Sequence, residues 1–264
     1  MKDANADTNV QIMLCDTIIV TMNEYWDLYD DSVPDVFKFM LHCTKSKDEQ
    51  LAMEAVEFWP YYVVDPNKDK LVFQDYLSDL CPVLLQRMRY TPALLELIDW
   101  EKDDCSKAPD KEEDVMPLHY QSRTENQSRT EKSDSILEQD ADDDETKWNI
   151  RKGAAGALDC ITRCQELTQP LLKQIGPLIV NFLGSSDYLF VYFVRKQHTK
   201  QTSNKEAGLL AVGALCATGY ELITPQLPKM VPYMLMQMKD ENILVCSIAC
   251  WAISRVSLWF DTED

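Results

Sequence analysis

Hydrophobic and polar positions along the chain alternate between blocks of helical period and short polar breaks. Residues 11–22 are apolar enough for a helix, while residues 1–10 read as disordered and 23–31, with their acids, as a break. Ser32 ahead of Pro34 is a helix-start signal, because proline tolerates the first helical turn, and the pattern predicts a helix over 32–43. A polar turn at 44–49 leads to a strongly amphipathic stretch at 51–59, which Pro60 and Pro66 are expected to close. The next pair begins near Phe73 and runs through 81–88, followed by a short helix at 93–100. Helical pattern resumes at 148–164. A third pair opens near Leu167, covers 169–183, stops at the GSSD turn and continues at 205–219. A fourth pair occupies 227–238 and 243–259. In that last helix Ile248, Trp251 and Arg255 share one face.

The pairs repeat. Pro82, Pro177 and Pro232 each sit inside a first helix ahead of an apolar run, at intervals of 95 and 55 positions. Removing insertions of roughly 50 and roughly 15 residues brings both near 40, the period of HEAT-type units of two helices. A proline inside a helix bends it, which suits a curved stack. One helix pair cannot bury its apolar faces alone, so stacking is required. The expected fold class is all-α: an α-solenoid of about four HEAT-type helix pairs with a long acidic disordered loop. No alternating strand pattern competes.

That loop is the segment 101–146, which lacks apolar periodicity. Of the net charge of −18 it supplies ten, from sixteen acids against six bases. It holds Asp140, Asp142, Asp143, Asp144 and Glu145 in one run, and SRTE occurs twice, at 122 and 128. Such a segment buries too little surface to offset its ordering entropy. Two readings stand: a solvated loop, or a tethered pseudo-ligand that binds a basic partner or competes with an acidic one at high effective concentration. Calcium fits poorly, since the run has no turn glycine and no EF-hand spacing. The organisation expected is an atypical segment at 1–26, helix pairs at 27–100, the acidic loop at 101–146, and helix pairs at 147–260 with an atypical insertion at 187–204.

Charge and composition narrow the function. A strongly acidic chain repels phosphates, which argues against nucleic acid and favours basic protein partners. The nine cysteines are scattered without CxxC, and the three histidines are isolated, so buried thiols in a reducing compartment are expected and neither zinc nor another cofactor is. No apolar run reaches the length of a membrane span and no secretory signal opens the chain, so a soluble intracellular protein is expected. No GxSxG, P-loop or HExxH motif is present, and the chain is not expected to be an enzyme. The Ile248–Trp251–Arg255 stripe has two readings, core between stacked helices or a platform for a partner's chain.

Several runs carry a resemblance. DEQLAMEAVEFW at 48–59, CPVLLQRMRY at 81–90, LHYQSRT at 118–124, DDDETKWNIRK at 142–152, LPKMVP at 227–232 and VCSIACWAISR at 245–255 together resemble the transportins, nuclear import receptors of the importin-β (karyopherin-β) family. The likeness covers roughly residues 27–260. It implies a superhelix of stacked pairs, shuttling between cytoplasm and nucleus. It implies that cargo proteins with basic proline–tyrosine nuclear localisation signals bind the inner face, that Ran GTPase in its GTP form binds mainly an N-terminal arch, and that nucleoporins are further partners. Leu210, Ile248, Trp251 and Arg255 fall where the family holds the proline–tyrosine end of the signal: an apolar wall for the rings, with a guanidinium for backbone carbonyls or the tyrosine face. The acidic loop, with Asp140, Asp142, Asp143, Asp144 and Glu145, would couple Ran binding to cargo release.

The departures are specific. The match spans only the middle of such a receptor, and residues 1–26 do not resemble the family's preceding repeat. The apolar-then-basic stretch at 187–204 is extra and is placed to displace the helix of Leu210. Gly153 and Gly156 weaken the helix after the acidic loop. The alternative function is a non-catalytic HEAT-repeat scaffold, or a truncated product without cargo affinity.

Overall fold

A computed structural model of the chain describes residues 4–25, 29, 32–91, 95, 149–183, 198–216 and 223–257. Among these the regular elements are helices and no strand occurs. In chain order they are α1 (Ala4–Glu24), α2 (Val33–Thr44), α3 (Glu49–Val64), α4 (Lys70–Gln74), α5 (Leu77–Arg87), α6 (Ile150–Arg163), α7 (Gln165–Phe182), α8 (His198–Leu215), α9 (Leu227–Gln237) and α10 (Ile243–Ser257), with a 3-10 turn at Thr224–Gln226 ahead of α9.

The helices form two rows. In one, α1 packs on α3, α3 on α6, α6 on α8 and α8 on α10. In the other, α5 packs on α7, and α2 and α9 lie against their pair partners α3 and α10. The pairs are therefore α2/α3, α5/α6, α7/α8 and α9/α10. The acidic segment joins α5 to α6, the two members of one pair.

The start of α2/α3 shows how sequence becomes packing. The carboxylate of Asp48 accepts from the Leu51 amide at 2.9 Å, capping α3. Phe37 of α2 is fully buried and meets the rings of Phe58, Trp59, Tyr62, Phe73 and Tyr76 edge-on, at centroid distances of 4.7 to 5.9 Å. Burying such a ring stabilises by about 1.5–3 kcal/mol, and each edge contact adds about 0.5–1.5. The Trp59 indole N–H donates to Thr44 Oγ1 at 3.2 Å, and that hydroxyl donates back to the Met40 carbonyl at 2.7 Å, so the polar atoms in this core are satisfied. Successive pairs are tied together. Arg87 of α5 donates through Nε to the Thr44 carbonyl at 3.0 Å and through Nη2 to the Ser46 carbonyl, and Lys205 of α8 meets Asp240, ahead of α10, at 3.0 Å.

Three expectations are corrected. Residues 1–10 do not read as disordered throughout, because α1 begins at Ala4. Its anchor lies further on, where Cys15, Ile18, Ile19 and Met22 are buried, and extending an anchored helix costs little once it is nucleated. The opposite side exposes Val10, Met13, Leu14 and Val20. Pro60 does not end α3, which continues to Val64. Buried Tyr62 and Val63 hold the last turn, and the Tyr62 hydroxyl donates to the Asp69 carbonyl at 2.8 Å, offsetting the hydrogen bond that proline removes. The helix of Leu210 is not displaced. It starts at His198, so residues 198–204 of the extra stretch form its first turns, and it keeps Ala207, Leu209, Leu210 and Ala211 in the core. Residues 187–197 lie outside the described residues.

Candidate functional site

The candidate site lies where α6, α8 and α10 run side by side, toward their carboxyl ends. Each helix supplies one part. On α6, Asp159 is 5% exposed, and the spacing of four residues brings Arg163 onto it, with Nη2 2.6 Å from Oδ2. The other oxygen, Oδ1, accepts no hydrogen bond within 3.5 Å and faces Arg255 Nη2 of α10 at 3.8 Å. One carboxylate thus sits between two guanidiniums from helices that are not neighbours in the row. Arg255 spans the end of α8, where the Cys216 thiol is pushed up to about 12 by burial and is drawn partly back by the Arg255 charge.

Arg255 also lies over the indole of Trp251, one turn earlier on α10, with Cζ 5.9 Å from the ring centroid. That indole packs against Gly213 of α8, close enough that a Cβ there would overlap it. Trp251 is 7% exposed, Ile248 1% and Leu210 0%. Half-buried Arg255 and exposed Arg163 are the parts of the cluster that water reaches.

The structure therefore brings Trp251 and Arg255 together and seats Leu210 and Ile248 in the common core of α8 and α10. It adds Asp159, Arg163 and Gly213, which sequence reasoning did not single out. The Asp159–Arg163 spacing was a legible signal, whereas the reach of Arg255 to Asp159 and the seat on Gly213 have no local signature. Asp140, Asp142, Asp143, Asp144 and Glu145 lie outside the described residues. Among the described residues no cluster of three or more metal-ligating side chains occurs, and no helix is long and apolar enough to cross a membrane.

A family model described as HEAT-like repeat matches residues 202–256, the region of α8 to α10. Among curated proteins the chain is 30% identical to Transportin-1 of Mus musculus over 259 residues, and 31% identical to Importin subunit beta-2 of Saccharomyces cerevisiae over 232. These alignments take in 96% and 85% of the chain.

The chain is similar over most of its length to a segment of the transportins.

It spans 27% and 24% of the length of those two relatives, about a quarter of each. Two solved structures share its fold. A chain of the Kap95:Nup1 complex superimposes with a TM-score of 0.61 at 15% identity, covering 100% of the transportin-like segment and 25% of that chain. A chain from the structure of Kap95p with RanGDP gives 0.57 at 16% identity, covering 97% and 24%.

Proposed function

We propose that the transportin-like segment is part of a nuclear import receptor that binds extended, basic cargo signals of the proline–tyrosine type on the concave face of its solenoid. The observation that carries this reading is the Asp159–Arg255–Trp251 cluster on α6 and α10, in a chain about 30% identical to transportins. Arg255 offers N–H groups for backbone carbonyls and a plane for a tyrosine ring. Trp251 supplies the apolar floor, with Leu210 and Ile248 backing it, and the chain's net negative charge attracts the basic part of the signal. The segment at 101–146, with Asp140, Asp142, Asp143, Asp144 and Glu145, couples binding of Ran in its GTP form to cargo release. Nucleoporins are further partners, and the receptor works in cytoplasm and nucleus without catalysis.

A second reading has its own observation. Leu210, Ile248 and Trp251 are buried, as expected of a scaffold whose platform is closed or lost. Titration of a labelled proline–tyrosine signal peptide by fluorescence polarisation separates the two. Under the receptor reading the chain binds, and Trp251→Ala and Arg255→Ala each weaken binding by about tenfold or more, as hot-spot truncations do. A folded chain that binds no peptide leaves the scaffold reading.

A further inference from the structure

Gly213 sits inside α8, buried, one turn after Leu210. A Cβ at this position would lie 2.1 Å from Cζ3, 2.7 Å from Cε3 and 2.8 Å from Cη2 of Trp251. All three atoms belong to the six-membered ring of the indole. The obstacle is a rigid aromatic ring held by its own packed helix, not the far end of a flexible chain. The indole therefore occupies a notch that exists only because position 213 carries no side chain. Glycine inside a helix is otherwise unfavourable compared with alanine, so the notch is the physical return for having it there. The seat governs more than the ring: Arg255 lies over that indole and faces Asp159 of α6. An indole driven out of the notch would shift the ring over which the guanidinium lies.

We propose that Gly213 is the positioning residue of the cargo platform: its missing side chain sets the depth of Trp251, and through the indole it holds Arg255 against Asp159. The consequence for binding rests on the cargo reading above, whereas the seating itself does not.

The test compares the full chain with Gly213→Ala, Trp251→Phe and the double variant, measuring the denaturation midpoint by circular dichroism and the signal-peptide affinity by fluorescence polarisation. Phenylalanine is smaller than the indole and leaves the notch roomier. With tryptophan at 251, Gly213→Ala is expected to lower the midpoint and weaken the peptide about tenfold or more. With phenylalanine at 251 the same change is expected to raise the midpoint, because alanine is the better helix former, and to leave affinity within about twofold of Trp251→Phe alone. That reversal of sign is what general damage to α8 would not produce. An equal penalty in both backgrounds, or none with tryptophan present, overturns the proposal. Should Gly213→Ala fail to fold, the double variant against Trp251→Phe decides: a raised or unchanged midpoint supports the seat and a lowered one overturns it. Should the unaltered chain bind no peptide, the cargo reading and the platform role fall together, and the midpoints still decide whether Gly213 seats the ring.

Discussion

Removing the carboxylate of Glu206 takes a buried counter-charge away from a guanidinium that water does not reach. Arg151 at the start of α6 is 1% exposed, Glu206 on α8 is 2% exposed, and Arg151 Nη2 donates to Glu206 Oε1. Arg151 also stacks on Tyr90, with Cζ 4.2 Å from the ring centroid. A desolvated cation–π contact stabilises by about 2 kcal/mol, while the desolvation of a buried ion costs several kcal/mol. The contact with Tyr90 does not by itself offset that cost. Breaking a buried pair by deleting one partner costs about 3–5 kcal/mol, and Glu206→Ala is expected to fall in that range. For a domain stable by about 5–15 kcal/mol the loss is a large fraction of the whole. Glu206→Gln keeps the volume and an acceptor oxygen, so it should cost less. Replacing both members with apolar residues of similar volume, Arg151→Met with Glu206→Leu, should land within about 1 kcal/mol of the unaltered chain or above it. Urea titration followed by far-UV circular dichroism reads each case as a shift in midpoint at constant slope. A Glu206→Ala cost below about 1 kcal/mol, the range of exposed ion pairs, would refute the reasoning.

Arg87→Met removes two charge-assisted hydrogen bonds to the Thr44 and Ser46 carbonyls, which tie α5 to the α2–α3 turn, and should cost about 1.5–3 kcal/mol in the same titration. Tyr233 donates its hydroxyl to the Leu183 carbonyl at 2.9 Å, and burial, with the nearby Asp240 charge, pushes its pKa up to about 12. Because the folded value exceeds the unfolded one, near 10, its contribution is complete below about pH 10 and is lost as pH rises toward 12; Tyr233→Phe should flatten that alkaline limb of a stability–pH profile. Burial likewise pushes the Cys81 and Cys216 thiols up to about 12, whereas Cys250 is exposed. A thiol-reactive chromophore at mildly alkaline pH should label Cys250 in the folded chain and reach Cys81 and Cys216 only on unfolding, as read by mass spectrometry of the labelled peptides.

The architecture was legible because it is written locally. The apolar period of α2, α3, α5 and α10 and the polar turns between them are properties of ten or fifteen adjacent residues, and the recurring prolines of α5, α7 and α9 marked the repeat. The failures lie where a distant contact overrides a local signal. Pro60 reads as a stop until Tyr62 and Val63 are known to be buried. The polar start of α1 reads as coil until Ile18, Ile19 and Met22 are known to be anchored on α3. Of the candidate site, only a stripe was legible. Ile248, Trp251 and Arg255 share a face at helical spacing, but periodicity cannot say whether that face meets solvent or a neighbouring helix. The answer depended on Gly213, a residue with no side chain to report its role, and on Asp159, which lies on a helix distant in sequence from that of Arg255.

The position of α6 in the rows gives the proposed coupling a physical route. This helix directly follows the acidic segment, and its first turn is capped by Asn149, whose side chain accepts from the Lys152 amide at 3.1 Å. Arg151 in that turn meets Glu206 of α8, and Asp159, two turns further along, meets Arg255 of α10. The two braces are eight residues apart, about 12 Å at 1.5 Å per residue, and both are carried on one uninterrupted helix. A displacement of α6 as a unit would therefore move both together. Under the proposed function no chain of intermediates is needed between the acidic segment and the platform. One continuous helix carries the Asp159 carboxylate that faces Arg255, and displacing it would draw that carboxylate away from the guanidinium on which the cargo signal is proposed to rest.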